Sequence, residues 1–574
     1  MAAPPKDDIA LATVREDDLK AAQVVEVAGG VARADAMELV WGKHGKKLLW
    51  AGIVCMLLAY QFDNALLYNY RNYAASDFNN VAGLATLATA GNIVFAVFKP
   101  PIAKVSDVVG RGEAYVFCIC CYLLGYILCA SSTSFGAYAG GFVFANIGQT
   151  GANILNDIII TDISSMRWRG FAIAVSFTPF LVTPWISGFI VEHVVSPDGI
   201  GWRWGIGMFA FIMPICATAL LFPLFSFQHR AKKQGVILTQ PISVLEFCSQ
   251  VDLGGSFLLC AGFAMFLLPF TLAGSTPSRW QTPYIIALIV VGAITLIAMV
   301  LYEAMLAKHP ILPARYFRNL SIVICCSLGF LDTLGFQCTH VYLYTFVTIA
   351  QNMSPRNATF LNYTNGVVQC LFGILGGAIM WKTRSYKWLM VIGTVIKLVG
   401  FGLMIRLRGS SNSWAELFIV QAVQGVGSGF IETIIIVGSQ IVVPRVEQAQ
   451  VTALVLLFVF LGASVGTSVA GGIYSGNFRE ALEQRLGSAS PEVVTAVYES
   501  ITSAQIPADG TAERDAASLA YSDVLRYITY VAVATSALCV VIALFLPDHR
   551  LRDGKTLVSG VQGTDVERIE NGRR

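Results

Sequence analysis

Apolar stretches of close to twenty residues recur along the whole chain from Leu48 to Leu546, separated by short polar punctuation. A helix rises about 1.5 Å per residue, so a run of roughly twenty crosses a hydrocarbon core of about 30 Å while bonding its own backbone internally. The pattern predicts about fourteen transmembrane helices. They fall near residues 48–68, 81–101, 114–131, 138–160, 169–191, 205–226, 253–273, 283–303, 321–349, 359–381, 388–405, 415–441, 450–475 and 525–547. The longer ones are expected to tilt or to project beyond the lipid. An all-α integral membrane fold follows.

Composition agrees with a bilayer as solvent. Of 574 residues, 55% are hydrophobic and 13% charged, whereas a soluble domain carries about 25% charged residues. The mean hydropathy is +0.63. The net charge of +3 is small, and the basic residues sit at helix ends rather than in a stripe, which argues against nucleic acid as a partner. Most cysteines, among them Cys118, Cys120, Cys121, Cys325 and Cys326, lie inside apolar spans, where Cys behaves as a small hydrophobe rather than as half of a disulfide framework. The polar stretch 1–47 lacks the pattern of a removable signal peptide, so the first span is expected to act as its own insertion signal. Residues beyond Asp548 read as a solvated tail.

Lys and Arg set an orientation. With the N-terminus inside, the cytoplasmic face collects about twenty basic residues, including Lys46, Lys47, Lys99, Lys104, Arg111, Arg230, Lys232, Arg315, Arg318, Lys382, Arg384 and Arg445. The opposite short loops are assigned about six: Arg71, Arg203, Arg279, Arg356, Arg406 and Arg408. Both tails are therefore expected in the cytoplasm. The same register puts the acidic stretch 476–524 outside, either as a solvated spacer with one or two short amphipathic helices or as a gate or ligand-docking loop. Sequons at Asn352, Asn357 and Asn362 fall at an outer loop too short to favour glycosylation.

An ionisable side chain in hydrocarbon costs roughly 2.5 to 3.5 kcal/mol on insertion scales, so its presence points to a water-filled path or a buried partner. The intramembrane candidates are Asp63, Asp157, Asp332, His340, Lys397 and Glu432. Helical spacing gathers polar groups around them. Asn146, Gln149, Asn153 and Asn156 with Asp157 mark the fourth span; Thr333, Gln337, His340 and Tyr344 the ninth; Gln421, Gln424, Ser428, Glu432 and Ser439 the twelfth. A lone Gln or Ser in such a stripe is ordinary interhelical glue, whereas an acid is a costly glue and a good proton carrier. Lys397, on the neighbouring span, is a candidate partner for Glu432; if the two pair, Glu432 is structural and does not titrate.

The loop after the second span reads Ala103-Lys104-Val105-Ser106-Asp107-Val108-Val109-Gly110-Arg111. It resembles the inner-loop signature of the major facilitator superfamily, with Ala103 at the usual first Gly and Val108 at a usual Arg. Gly110 permits a tight turn while Asp107 and Arg111 can pair across it, a conformational latch. The run Phe62-Asp63-Asn64-Ala65-Leu66-Leu67-Tyr68-Asn69-Tyr70 and the junction from Asn156 to Gly170 resemble the fungal siderophore-iron transporters of that superfamily.

The resemblance implies two six-helix bundles, over 48–226 and 321–547, with a linker at 227–252 and two inserted helices over 253–303 between them. Cytoplasmic tails would occupy 1–47 and 548–574, and the outer loop 476–524 would belong to the second bundle. The first, fourth, ninth and twelfth spans would then line a central cavity. Two departures matter. Asn146 replaces an Arg that many superfamily members carry in the fourth span. Phe177-Thr178-Pro179 and Thr183-Pro184-Trp185 do not form the Gly-Pro-rich motif of drug antiporters, which tilts the reading towards symport.

The expected function is proton-coupled import of ferric siderophores by a monomer, by alternating access, in the plasma membrane or alternatively an endosomal or vacuolar one. A ferric siderophore brings its own iron ligands, so neither a protein metal site nor a cofactor is expected. Asp63 is the first proton-coupling candidate, followed by Glu432 and Asp332. Tyr68, Tyr70, Asn146, Gln149, Asn153, Gln337, His340, Tyr344, Gln421, Gln424 and Ser428 are the substrate-binding candidates. Rival readings are a glutathione/proton exchanger or haem carrier of the same family, or a non-transporting siderophore sensor. An enzyme is disfavoured. A haem-containing reductase would need paired intramembrane histidines, and ATP-driven pumping a phosphate-binding Gly loop, neither of which the chain offers.

Overall fold

The computed structural model describes residues 42–163, 178–196, 198–233, 248–249, 252–275, 281–306, 314–443, 448–486, 491–503 and 506–549. Of the tails expected at 1–47 and 548–574, residues 1–41 and 550–574 lie outside the described residues, as do the middle of the expected linker and the fourth-to-fifth junction from Ser164 to Gly170. The described residues form helices and connecting turns, with no strand among them.

The first group comprises α1 (Gly42–Asp77), α2 (Leu84–Val108), α3 (Arg111–Ser131), α4 (Phe135–Ile163), α5 (Thr183–Val195), α6 (Gly201–Gly207) and α7 (Phe209–Lys233). Then follow α8 (Leu253–Ser275) and α9 (Pro283–Met305). The last group comprises α10 (Leu320–His340), α11 (Leu343–Ile349), α12 (Pro355–Thr383), α13 (Lys387–Leu407), α14 (Trp414–Gln440), α15 (Gln448–Leu486), α16 (Pro491–Glu499) and α17 (Ala512–Leu544).

Twelve helices among the described residues are long and apolar enough to cross a membrane, against the fourteen expected. The difference has a physical source. Helix α4 has 29 residues, but Asn146, Gln149, Asn153, Asn156 and Asp157 make it too polar to stand among the twelve. The fifth expected span, 169–191, runs partly through residues outside the description, and Thr183–Val195 is the helix described there. The expected outer loop 476–524 is largely helical: α15 continues to Leu486, α16 stands alone, and α17 begins at Ala512.

Within the first group α1 packs on α7, and α4 on both α2 and α3; within the last, α10 packs on α15 and α17, and α14 on α12 and α13. Two seams join the groups, α2 against α15 and α5 against α12. Helix α8 lies across the first seam, touching both α2 and α15, with Leu259 and Leu267 buried among Ile93, Val97, Leu457 and Leu461. Lipid removes most of the hydrophobic drive for such contacts, so close backbone approach has to supply packing. At Gly462 of α15 an added Cβ would lie 2.0 Å from the Phe330 carbonyl oxygen of α10.

One buried ion pair fastens the last group internally. Lys397 Nζ on α13 donates to Asp332 Oδ1 on α10 at 2.6 Å, with both side chains almost wholly buried. Lys397 therefore pairs with Asp332 and not with Glu432, and the backbone explains why. At Gly427 of α14 a Cβ would meet the Lys397 Cβ at 2.7 Å, so the missing side chain lets the lysine stem pass α14 and reach α10. Glu432 stands five residues farther along α14, on another side of the helix.

Two stability outcomes follow. Gly462→Ala should lower the thermal unfolding midpoint in detergent through overpacking of about 1–3 kcal/mol, whereas Gly402→Ala, where a Cβ meets nothing within 4 Å, should not lower it. Asp332→Asn alone should destabilise by about 3–5 kcal/mol by stranding the Lys397 ammonium. The double change Asp332→Asn with Lys397→Met should recover most of that loss, read as a double-mutant cycle on the same unfolding signal.

Candidate functional site

Helix α1 carries polar residues on two faces. One face places Asp63 inside the first group. The hydroxyls of Tyr122 and Tyr126, one turn apart on α3, donate to its two oxygens, and Gln149 Nε2 of α4 lies 3.4 Å from Oδ2. Asp63 is fully buried, and no Lys or Arg pairs with it among the described residues. A carboxylate held in hydrocarbon by neutral donors alone is a group that can exchange a proton without breaking an ion pair. Tyr70 points the same way: it is fully buried against Gly205, and its hydroxyl lacks a partner.

The other face of α1 meets the last group, at the end away from the termini. Tyr68 donates to the His340 carbonyl oxygen at 3.2 Å, and the Tyr73 and Tyr344 hydroxyls lie 3.0 Å apart. Tyr363 donates to the Ala65 carbonyl at 3.0 Å, and Tyr342 to the Ala82 carbonyl at 3.1 Å. The backbone N–H of Ile501, just beyond α16, donates to Ser76 Oγ at 3.0 Å. Phe95 and Phe460 stack across the α2–α15 seam, with Lys99 over the Phe460 ring at 4.9 Å.

The expected polar stripes are partly brought together. His340 stacks on Phe336 and shares a 2.9 Å hydrogen bond through Nε2 with Gln421 Oε1; Asn365 of α12 donates to the Gln421 carbonyl. Gln424 is buried with Nε2 near Met404 Sδ and Oε1 unpartnered, and Ser428 Oγ is likewise buried and unpartnered. Asn146 bonds the Phe142 carbonyl of its own helix, and Asn153 bonds Tyr60. Gln337 is half-buried on α10.

Glu432 is the exposed position on α14 between Val420 and Gln440; Gln369 of α12 bonds it, and the charges of Asp332 and Lys397 reach it. Asn64, at mid-helix on the seam face of α1, is exposed as well. At the expected latch, Gly110 has φ 132°, which favours glycine, and Arg111 donates to Ser106 Oγ at 2.8 Å, while the side chain of Asp107 lies outside the described residues.

Sequence reasoning missed Tyr122 and Tyr126, although hydroxyls one turn apart in an apolar span were a readable signal. It also misplaced Arg71 and Arg408. Both were expected in outer loops, and both are buried: Arg71 lies within α1, and Arg408 caps α13. Among the described residues no three His, Cys, Asp or Glu side chains converge as a metal set.

Comparison with known proteins places this architecture. Residues 52–351 match the Major Facilitator Superfamily. The chain is 34% identical to "Siderophore iron transporter 1" of Schizosaccharomyces pombe, over 89% of this chain and 83% of the relative. It is 30% identical to the "Low affinity heme transporter str3" of the same yeast, over 93% and 87%. It is also 29% identical to the "MFS siderochrome iron transporter C" of Aspergillus fumigatus, over 92% and 87%. Among solved structures, a POT family transporter in complex with 5-aminolevulinic acid aligns at TM-score 0.57 and 13% identity, covering 86% of this chain and 96% of that one. A bacterial homologue of the lysosomal transporter Spinster, inward-facing and unoccupied, aligns at 0.56 and 15%, covering 89% and 100%. These two share the fold. This multi-pass membrane chain belongs to the Major Facilitator Superfamily and, within it, to the family of fungal siderophore iron transporters.

Proposed function

We propose that this transporter imports ferric siderophores together with protons by alternating access, as a monomer in the plasma membrane with both termini in the cytoplasm. Asp63 carries the proton. The observation behind this assignment is its setting: a fully buried carboxylate on α1, held by Tyr122, Tyr126 and Gln149 without a cation, one helix face away from the tyrosine contacts that close the seam. Asp332 is the weaker candidate because Lys397 already neutralises it, and Glu432 is a second, solvent-reachable acid beside Gln369.

With the termini inside, the hydrogen-bonded end of the seam is the outer end, and the described state is closed outwards. Substrate would enter when the tyrosine contacts part, and His340, Gln421, Gln424, Ser428, Gln337, Tyr68 and Tyr344 would meet it from the seam walls. Asn146, Asn153, Gln149 and Tyr70 act behind the first wall. Asp107, Gly110 and Arg111 form the latch at the inner end. Iron stays with the oxygens of its chelator, so selection falls to shape, aromatic faces and hydrogen bonds.

In cells lacking other iron-chelate carriers, uptake of a radiolabelled ferric siderophore should be abolished by a protonophore and should rise as the outside is acidified. Asp63→Asn protein, present at normal surface levels, should lose at least about tenfold of the initial rate and all of its pH response. Uptake by Asp63→Asn with an unchanged pH profile removes Asp63 from the mechanism. Labelled haem accumulating where no iron chelate does would favour the activity named for the str3 relative.

A further inference from the structure

Asp157 of α4 is an intramembrane acid that the import cycle above does not use, and it stands at the foot of a polar row that begins at Asp63. Gln149 of α4 meets Asp63 of α1 at 3.4 Å, and one turn farther along α4 the Asn153 amide bonds Tyr60, one turn back along α1 from Asp63. The two helices therefore run antiparallel here, and the row descends towards the end of α1 that begins at Gly42. The Tyr60 hydroxyl lies within the field of both Asp63 and Asp157. Helix α3 follows the same descent: Tyr122 and Tyr126 hold Asp63, and Tyr115, about two turns below Tyr122, donates to Asn156 Oδ1 at 2.9 Å. From Gln149 to Asp157 the row covers about 12 Å along the helix axis.

Exposure changes along this row. Asp63, Tyr60 and Tyr115 are buried, whereas Asn153 and Asp157 are half-buried, so solvent reaches the foot of the row and not its head. Lys99 of α2, also half-buried, brings its charge to bear on Asp157, while its Nζ lies 4.9 Å from the ring centre of Phe460 on α15 and 5.9 Å from that of Phe95. Besides Lys99, Tyr60 faces Asp157 from α1, and Tyr115 with Cys118 stands beside Asn156 on α3. Asp63 is faced by Tyr60 of its own helix, by Tyr122 and Tyr126 of α3, and from the last half by Tyr363 of α12. Phenols and thiols are ordinarily neutral near pH 7, so the two carboxyl groups are the places where a travelling proton comes to rest.

We infer that Asp157 is the inner release station for the proton that Asp63 carries, with the Tyr60 hydroxyl between the two carboxyl groups. The inference rests on the import reading above and adds the second half of its proton path. When the cavity faces inwards, the Asp63 carboxyl gives its proton to the Tyr60 oxygen as Tyr60 releases its own towards the Asp157 carboxylate. Asp63 is left as the carboxylate, Tyr60 is again a neutral phenol, and Asp157 holds the proton until water at the foot of the row takes it. No bond between heavy atoms changes. Lys99 ties the step to the seam. Its ammonium answers the Asp157 carboxylate before the proton arrives and is left afterwards with the aromatic faces of Phe95 and Phe460, the second of which belongs to the last half. Arrival of the proton is thus felt where α2 meets α15.

The test uses the full chain in liposomes that enclose a pH-sensitive dye, with a radiolabelled ferric trihydroxamate as substrate. Two modes are compared: net uptake driven by a proton gradient, which requires release of the proton, and exchange of labelled for unlabelled chelate at equal pH, which does not. Asp157→Asn should lower net uptake and the accompanying dye signal at least about tenfold while exchange stays within about twofold of wild type. Tyr60→Phe should act in the same direction, and Asp157→Glu should restore both signals. Equal loss of exchange and net uptake in Asp157→Asn would make Asp157 a structural or substrate-binding residue and overturn the station, as would net uptake unchanged from wild type. A second measurement needs no transport. Across a pH titration in detergent, the infrared difference spectrum of the wild-type chain should hold one protonated-carboxyl band missing from Asp63→Asn and another missing from Asp157→Asn. The Asp157 band should titrate at a different pH once Asp63→Asn removes the neighbouring charge. An Asp157 band that titrates identically with and without Asp63 would overturn the relay. Coupled bands in a chain that transports no chelate would support the relay and reject the import reading.

Discussion

A charge inside hydrocarbon has to be neutralised, and this chain does so in opposite ways at matching places in its two halves. In the first half Tyr122-Leu123-Leu124-Gly125-Tyr126 of α3 faces Asp63 of α1; in the last half Lys397-Leu398-Val399-Gly400-Phe401 of α13 stands beside Asp332 of α10. The glycines correspond as well. A Cβ at Gly125 would collide with Ala145 of α4, and one at Gly400 with Gln424 of α14, so both helices lie close enough for the residue three positions earlier to reach inward. One acid is answered by hydroxyls and the other by an ammonium. The ion pair stores its neutralisation permanently, whereas the hydroxyl-bound acid leaves the charge open to a proton.

The division of strong and weak contacts follows the division of labour. The Lys397–Asp332 pair lies inside one half, where nothing has to separate. Between the halves the contacts at the end away from the termini are neutral hydrogen bonds from Tyr68, Tyr73, Tyr342 and Tyr363, each worth about 1 kcal/mol net. The ion pair that does cross, Arg356 with Glu192, is more than a third exposed and adds little. A seam closed by several small increments can be opened by one ligand of ordinary affinity; a buried ion pair placed there would hold it shut.

Much of this was legible in the sequence because hydropathy reports directly on the solvent. The spans, the acids within them and the stripes of α4, α10 and α14 follow from composition and helical period. What escaped was partner choice. Lys397 stands within reach of both Asp332 and Glu432 by element order, and only the tight crossing at Gly427 decides between them. Helix ends were the other weakness. Arg71 and Arg408 are polar residues flanking apolar runs, which a topology count reads as loop charges, but α1 continues to Asp77 and takes Arg71 into the packed interior. The same effect turned much of the expected loop 476–524 into extensions of α15 and α17.

Those extensions give the end of the bundle away from the termini its own mechanical logic. Tyr342, Tyr474, Phe478 and Tyr521 bury together with Val494 and Val497 of α16, so the short helix is anchored to the last half through an aromatic cluster. Its far end reaches the first half through Ile501 and Ser76. Val494, Val497 and Ile501 share that buried cluster with Ala75, Val81, Leu84 and Ala85 of the first half, so the short helix packs against both halves. Helix α8 packs on α2 and α15 together and braces that seam along an apolar surface, where the Thr89 and Thr467 hydroxyls also meet at 2.7 Å. A seam braced along its length by the packing of α8 and held elsewhere by single tyrosine hydrogen bonds is set to part first at those bonds, where Tyr68 meets His340 and Tyr73 meets Tyr344.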